Sequence, residues 1–144
     1  MVGIVVASHG LLAKELLRTA AMIIGELQQA TACSIEPGTP PQVLRDRIAA
    51  AVHEVDTGDG VIVFSDLLGG SPCTQSLLLC RENNLEVLTG VNLPMVLKAD
   101  ALRRTVSLVE LARTLAEYGR NAITCATAKL RGEQTPAADR PAPM

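Results

Sequence analysis

Aromatic residues are almost missing from this chain: Phe64 and Tyr118 stand alone, and there is no tryptophan. That scarcity argues against stacking platforms for bases or sugars. A basic surplus is missing too. The formal net charge is −2, so no positive field favours nucleic acid. Arg103, Arg104, Arg113 and Arg120 lie near one another in sequence and read as a solvated helix face. No apolar run reaches the ~18 residues that a membrane span needs. The apolar N-terminus carries no basic leader and is interrupted by Lys14, Glu15 and Arg18, so it does not read as a signal peptide. Cys33, Cys73, Cys80 and Cys125 form no CxxC pair. Each falls in an apolar stretch, which predicts buried, reduced thiols in a cytoplasmic protein.

Several catalytic signatures are also lacking. His53-Glu54-Val55-Asp56-Thr57 is not HExxH, and Pro72-Cys73-Thr74-Gln75-Ser76 lacks the second cysteine of PCxxC. Gly69-Gly70-Ser71-Pro72-Cys73 is not a GxSxG elbow, and neither Walker A nor GxGxxG occurs. One loop histidine and one aspartate are too few ligands for a stable metal site. No metal and no cofactor are expected.

What is present is an alternation of strands and helices within one domain-sized chain of 144 residues, 48% of them apolar. Val2 to Ala7 reads as an unbroken apolar strand, as in a sheet covered on both faces. Leu12, Leu16, Ala20 and Ile23 repeat at helical spacing within Leu11–Ile24. Thr31–Ile35 reads as a second strand. A Pro-Gly loop then delivers Pro41 to a helix whose face is Leu44, Ile48, Ala51, Val52 and Val55. Val61–Phe64 and Leu85–Thr89 are further strands. Ser71 is placed as an N-cap with Pro72 at the first helical position. Ser107 and Glu110 have capping-box spacing. Ala122–Ala128 reads as a late strand. The Pro- and Ala-rich stretch 131–144 reads as a disordered tail behind a domain of residues 1–130.

Strands separated by helices predict a parallel sheet with right-handed crossovers, so all strand carboxyl ends share one edge. Three distinctive loops fall there: Ser8-His9-Gly10, Asp66-Leu67-Leu68-Gly69-Gly70-Ser71-Pro72, and Gly90-Val91-Asn92-Leu93-Pro94. Open α/β folds place their sites on this edge. Imidazole there can serve as base, ligand or nucleophile near neutral pH. Asp66 can accept from one ring nitrogen of His9 and leave the other nucleophilic. Gly69 and Gly70 permit close backbone approach, and the helix start at Ser71 suits an anion such as phosphate. Taken singly, each has a plainer use: His9 as a strand-end turn residue, Asp66 as a turn residue, the diglycine as a turn, Asn92 as a cap. The combination weighs more than any member.

These three motifs resemble the mannose-type enzyme IIA domain of the bacterial sugar phosphotransferase system over roughly residues 1–130. The resemblance implies a three-layer α/β/α fold with a mainly parallel sheet, in a homodimer that exchanges a C-terminal strand; Ala122–Ala128 would be that strand. It implies that His9 takes phosphate on Nε2 from the phosphocarrier protein HPr and passes it to a histidine of a IIB component. Asp66 would orient the ring, and Ser71, with Gly69, Gly70 and Asn92, would contact phosphate or partner. Members often carry Thr-Trp after the aspartate, whereas Leu67 and Leu68 follow here. A hydroxyl contact at position 67 is therefore absent. The phosphotransfer subunit of dihydroxyacetone kinase is a more distant relative, and the Gly-Gly-Ser-Pro loop favours the mannose type. The same histidine and aspartate would also serve a regulatory module switched by His9 phosphorylation. The sugar is not legible in this chain.

Overall fold

The structure is a computed structural model that describes residues 1–133. Elements alternate as β1 (Gly3–His9), α1 (Leu12–Ile24), β2 (Ala30–Ile35), α2 (Pro41–Val55), β3 (Val61–Ser65), α3 (Ser71–Leu79) and β4 (Leu85–Leu88), followed by α4 (Leu93–Leu102), α5 (Leu108–Asn121) and α6 (Ala126–Leu130). The four strands form an all-parallel sheet of order β2-β1-β3-β4. The predicted three-layer α/β/α architecture is therefore present.

Strand composition follows from position in the sheet. β1 and β3 lie inside it, and both of their faces are covered, so they are nearly continuous apolar runs. Successive side chains feed opposite cores. Ile4, Val6, Ile62 and Phe64 pack with Val96, Leu111 and Leu115 on the α1, α4 and α5 side. Val5, Ala7, Val61 and Val63 pack with Leu44, Ile48 and Val52 under α2 and α3. Each fully buried aliphatic side chain contributes about 1.5–3 kcal/mol of transfer free energy, so the two layers clamp the central pair of strands.

Helix starts follow local chemistry. Pro41 opens α2 where its missing N–H costs nothing. Asn92 caps α4 by accepting the Met95 N–H at 3.1 Å, and Ser107 caps α5 by accepting from Glu110 at 3.3 Å. At α3 the expectation shifts by one residue. Gly70, with extended φ −70° and ψ 161°, is the N-cap, and Ser71 is already helical with no side-chain cap. Ser71 therefore keeps its hydroxyl free of that duty.

Four other expectations are corrected. Residues 122–128 do not form a strand: α6 begins at Ala126, and no strand pairing reaches this segment among the described residues. Ala, Lys and Leu at 126–130 are good helix formers, and the outer edge of β4 has no partner strand among the described residues. Arg103 is not on a solvated face. It is 1% exposed, while Arg104, Arg113 and Arg120 are exposed. Its guanidinium donates to the carbonyls of Gln28 (2.6 Å), Gln29 (3.3 Å) and Val2 (3.4 Å) and pairs with Asp100. On α1, Ala13 and Ala20 face the sheet while Leu12 and Ile23 are exposed, so the small residues set the packing face. Finally, Cys33 and Cys73 are buried, but Cys80 is half-buried and Cys125 is exposed. The tail predicted from Arg131 lies, from residue 134 on, outside the described residues. No described helix is long and apolar enough to cross a membrane.

Candidate functional site

The sheet order reverses direction between β1 and β3: β2 lies to one side of β1, and β3 and β4 lie to the other. Loops diverge at such a switch point and leave a crevice beyond the carboxyl ends of the strands. His9 ends β1, and Asp66 follows β3 directly, so the crevice holds both. The register places Ala7 opposite Ser65, which carries the two side chains off the sheet together.

Local chemistry sharpens the turn around His9. Ser8, buried at the strand end, accepts the Ala13 N–H at 2.7 Å and so tethers the start of α1. Gly10 adopts φ +56° and donates its N–H to Ile35 O at 2.9 Å. A left-handed residue here favours glycine. The chain thus leaves β1, turns within two residues and enters α1, with the imidazole projecting from the edge.

Asp66 holds that imidazole. Its Oδ2 accepts the His9 backbone N–H at 2.8 Å and lies 2.7 Å from Nδ1. Its Oδ1 accepts the Leu67 N–H at 2.9 Å. The Asp66 side chain is 10% exposed and the His9 side chain 52% exposed. Burial is the largest influence on the Asp66 carboxyl and pushes it upward. The His9 backbone N–H, the His9 ring and the Leu67 N–H outweigh it together and hold Asp66 below the usual carboxylate range. An ionised Asp66 accepts a proton-bearing Nδ1, which leaves the Nε2 lone pair available. With both oxygens engaged, Asp66 is suited to orienting the ring.

The second loop closes against the same ring. Gly69 takes φ +83°, and Gly70 lies close enough to His9 that a β-carbon there would stand 3.0 Å from Cε1. Ser71 follows at the exposed start of α3, where no side chain caps the helix. The third loop is tied to this edge through the Val91 N–H, which donates to Ser65 O at 3.2 Å. Its Asn92 uses its oxygen for the Met95 N–H and its amide for Gly119 O at 3.0 Å. Asn92 therefore anchors its own loop and makes no hydrogen bond to His9 or Asp66. The rim is apolar: Leu11, Leu12, Leu67 and Leu68 are all exposed, Leu68 by 77%. His53 lies exposed on α2, away from this constellation.

Sequence reading missed Ser8 as the tether of α1 and Arg103 as a buried clamp. A serine just before a turn and helix signals the first. Nothing local distinguishes Arg103 from Arg104. Among the described residues, no three His, Cys, Asp or Glu side chains gather as a metal site.

The fold and these loops define the class as an open, parallel α/β/α domain with a histidine and a carboxylate paired at its switch point. More narrowly, the family model described as "PTS system fructose IIA component" (EIIA-man) matches residues 3–116, and the chain belongs to that family. The chain is 32% identical over 144 residues to the "PTS system mannose-specific EIIAB component" of Escherichia coli K12, covering 99% of this chain and 45% of that protein. It thus spans about half the length of that relative. It is 25% identical over 116 residues to the "PTS system fructose-specific EIIA component" of Bacillus subtilis, covering 80% of each. Among solved structures, the mannose/sorbose specific IIA subunit from Enterococcus faecalis superposes with a TM-score of 0.78 at 30% identity, over 85% of this chain and 92% of that one.

Proposed function

We propose that this chain relays a phosphoryl group between proteins, accepting it on Nε2 of His9 from phospho-HPr and passing it to a histidine of a IIB component. The observation that carries the reading is the ring orientation: Nδ1 is engaged by Asp66 at 2.7 Å, and half of the side chain faces solvent. Nε2 attacks phosphorus as the P–N bond to the donor histidine breaks. The Nδ1 proton stays in place, and Asp66 stabilises the positive charge that the phosphorylated ring carries. The second transfer runs the same exchange toward the acceptor histidine, so the ring returns to its starting state.

Charge on the transferring group needs fixed donors. The uncapped start of α3, with the Ser71 N–H and hydroxyl, supplies them, and its helix dipole favours an anion. Gly69 and Gly70 keep that approach open, and Asn92 shapes the neighbouring loop. The apolar rim of Leu11, Leu12, Leu67 and Leu68 suits docking of a protein rather than capture of a free sugar. The proposal places the chain in the cytoplasm as a homodimer. The outer edge of β4, which has no partner strand among the described residues and lies beside a cleft of about 390 Å³ lined in part by Val87, Leu88 and Ile123, supports self-association there.

The test is intact-protein mass spectrometry after incubation with phosphoenolpyruvate, enzyme I and HPr at mildly alkaline pH. The expected result is one acid-labile phosphate on the wild type and none on His9→Ala, discharged by a IIB domain. Phosphate on His9→Ala at the wild-type level would rule out His9. Uptake from HPr with no discharge to any cognate IIB would favour the regulatory role.

A further inference from the structure

The geometry points to Gly70 as a positioning residue whose missing side chain sets the rotation of the His9 ring. This rests on the reading that Nε2 is the phosphoryl acceptor. The two glycines of the loop are glycine for different reasons. Gly69 has φ +83° and open space around its β-position, so its need is conformational. Gly70 has φ −70° and ψ 161°, which any L-residue adopts without strain. Its need is space. A β-carbon built there lies 3.0 Å from His9 Cε1, 3.4 Å from Leu67 Cγ and 3.6 Å from Leu67 O.

A methyl group in that gap has neighbours on both sides. The imidazole yields only by lengthening the 2.7 Å contact between Nδ1 and Asp66. Its backbone is no freer, because the His9 N–H is held by the same carboxylate oxygen at 2.8 Å. On the other side, the Leu67 backbone is held through its N–H to Asp66 Oδ1 at 2.9 Å, with its side chain set against the gap. Cε1 is the ring carbon between the two nitrogens. A methyl pressed on it rotates Nδ1 away from Asp66 and stands beside the approach to Nε2. The ring edge and the Gly70 backbone are therefore a matched contact, and Asp66 and Gly70 fix the imidazole from different directions. Because residues 66–70 lie outside both cores, the effect falls on ring orientation rather than on the core.

The experiment compares wild type, Gly70→Ala and Gly70→Ala/Leu67→Ala. Long-range ¹H–¹⁵N spectra of the His9 ring are recorded at about pH 8, where an ordinary imidazole is neutral, beside the rate of phosphate uptake from phospho-HPr. The expected wild type carries its proton on Nδ1. Gly70→Ala should shift the ring toward a mixture of tautomers and slow uptake by about tenfold or more, since small misplacements of a reacting group carry large rate penalties. Backbone amide spectra away from the loop should not change. Removing the Leu67 side chain opens the far side of the gap, so the double variant should regain much of the wild-type ring signature. Unchanged ring shifts and an unchanged rate in Gly70→Ala would overturn the inference, as would a double variant whose ring stays disturbed. If Gly70→Ala moves the ring as expected but the wild type takes up no phosphate, the role of Gly70 stands and the relay reading fails.

Discussion

One oxygen of Asp66 accepts two hydrogen bonds from a single residue, His9: the backbone N–H at 2.8 Å and ring Nδ1 at 2.7 Å. The carboxylate thereby fixes both where the residue leaves the strand and how its ring is turned. A carboxylate that held only the ring would leave the backbone free to carry the imidazole out of register.

Asp66→Asn keeps the shape but loses the charge and the preference for a protonated Nδ1. Phosphoryl uptake on His9 should slow by at least about tenfold and by up to about 10⁴-fold, the penalty when the carboxylate that orients a reactive imidazole becomes an amide. The fold should persist, because Asp66 lies outside both cores. Stopped-time phosphorylation assays with saturating phospho-HPr check this, and wild-type kinetics would remove Asp66 from the mechanism.

Acid stability carries a second signature of the same pair. The folded-state value of Asp66 lies below its ordinary 3.8, so folding favours the ionised form. The stabilisation is fully present above the unfolded value, from about pH 5 upward, and is lost as pH falls through the lower folded value. Urea midpoints of wild type and Asp66→Asn should therefore differ at pH 5–7 and converge in stronger acid. A gap that widens on acidification would contradict this sign.

Arg103→Met tests the buried clamp. Methionine fills much of the volume but takes a donor from the carbonyls of Gln28, Val2 and Gln29, the last of which keeps the Ile4 N–H. Stranding buried carbonyls costs about 1–3 kcal/mol. The clamp also secures Gln29, a non-glycine residue at φ +50° whose carbonyl accepts the Ile4 N–H. Equilibrium urea unfolding should show the loss, while His9 of the folded fraction still takes up phosphate. A stability change within a few tenths of a kcal/mol would show that water replaces the guanidinium without penalty.

Much of this was legible in the chain itself. The apolar runs of β1 and β3 could belong only to strands covered on both faces, and Pro41, Ser107 and Asn92 marked helix starts by local hydrogen bonding and fixed φ. His9, Asp66 and the Gly-Gly-Ser turn stood out because each follows a strand closely, which sends them to one edge. The failures share a cause. The Leu12-Leu16-Ala20-Ile23 pattern gives the right element and half of its face: Ala20 and Leu16 turn toward the core, whereas Leu12 and Ile23 are exposed and the small Ala13 fits close to the sheet instead. The stretch at 122–128 reads as a strand in the sequence and is not one in the structure, because local composition cannot say whether a neighbouring strand exists to pair with it.

The order of elements, the parallel sheet and the identity of the residues at its carboxyl edge are written in the chain, because these follow from periodicity, chain reversals and backbone chemistry over a few residues. How those residues meet is a product of packing between distant segments. It placed Asp66 on the Nδ1 side of His9 and Gly70 against Cε1, and it buried Arg103 beneath the turn before β2 while leaving Arg104 in solvent. Such distinctions rest on contacts between segments 57 to 101 residues apart, where a one-residue rotation or shift changes the partner and leaves the local pattern unchanged.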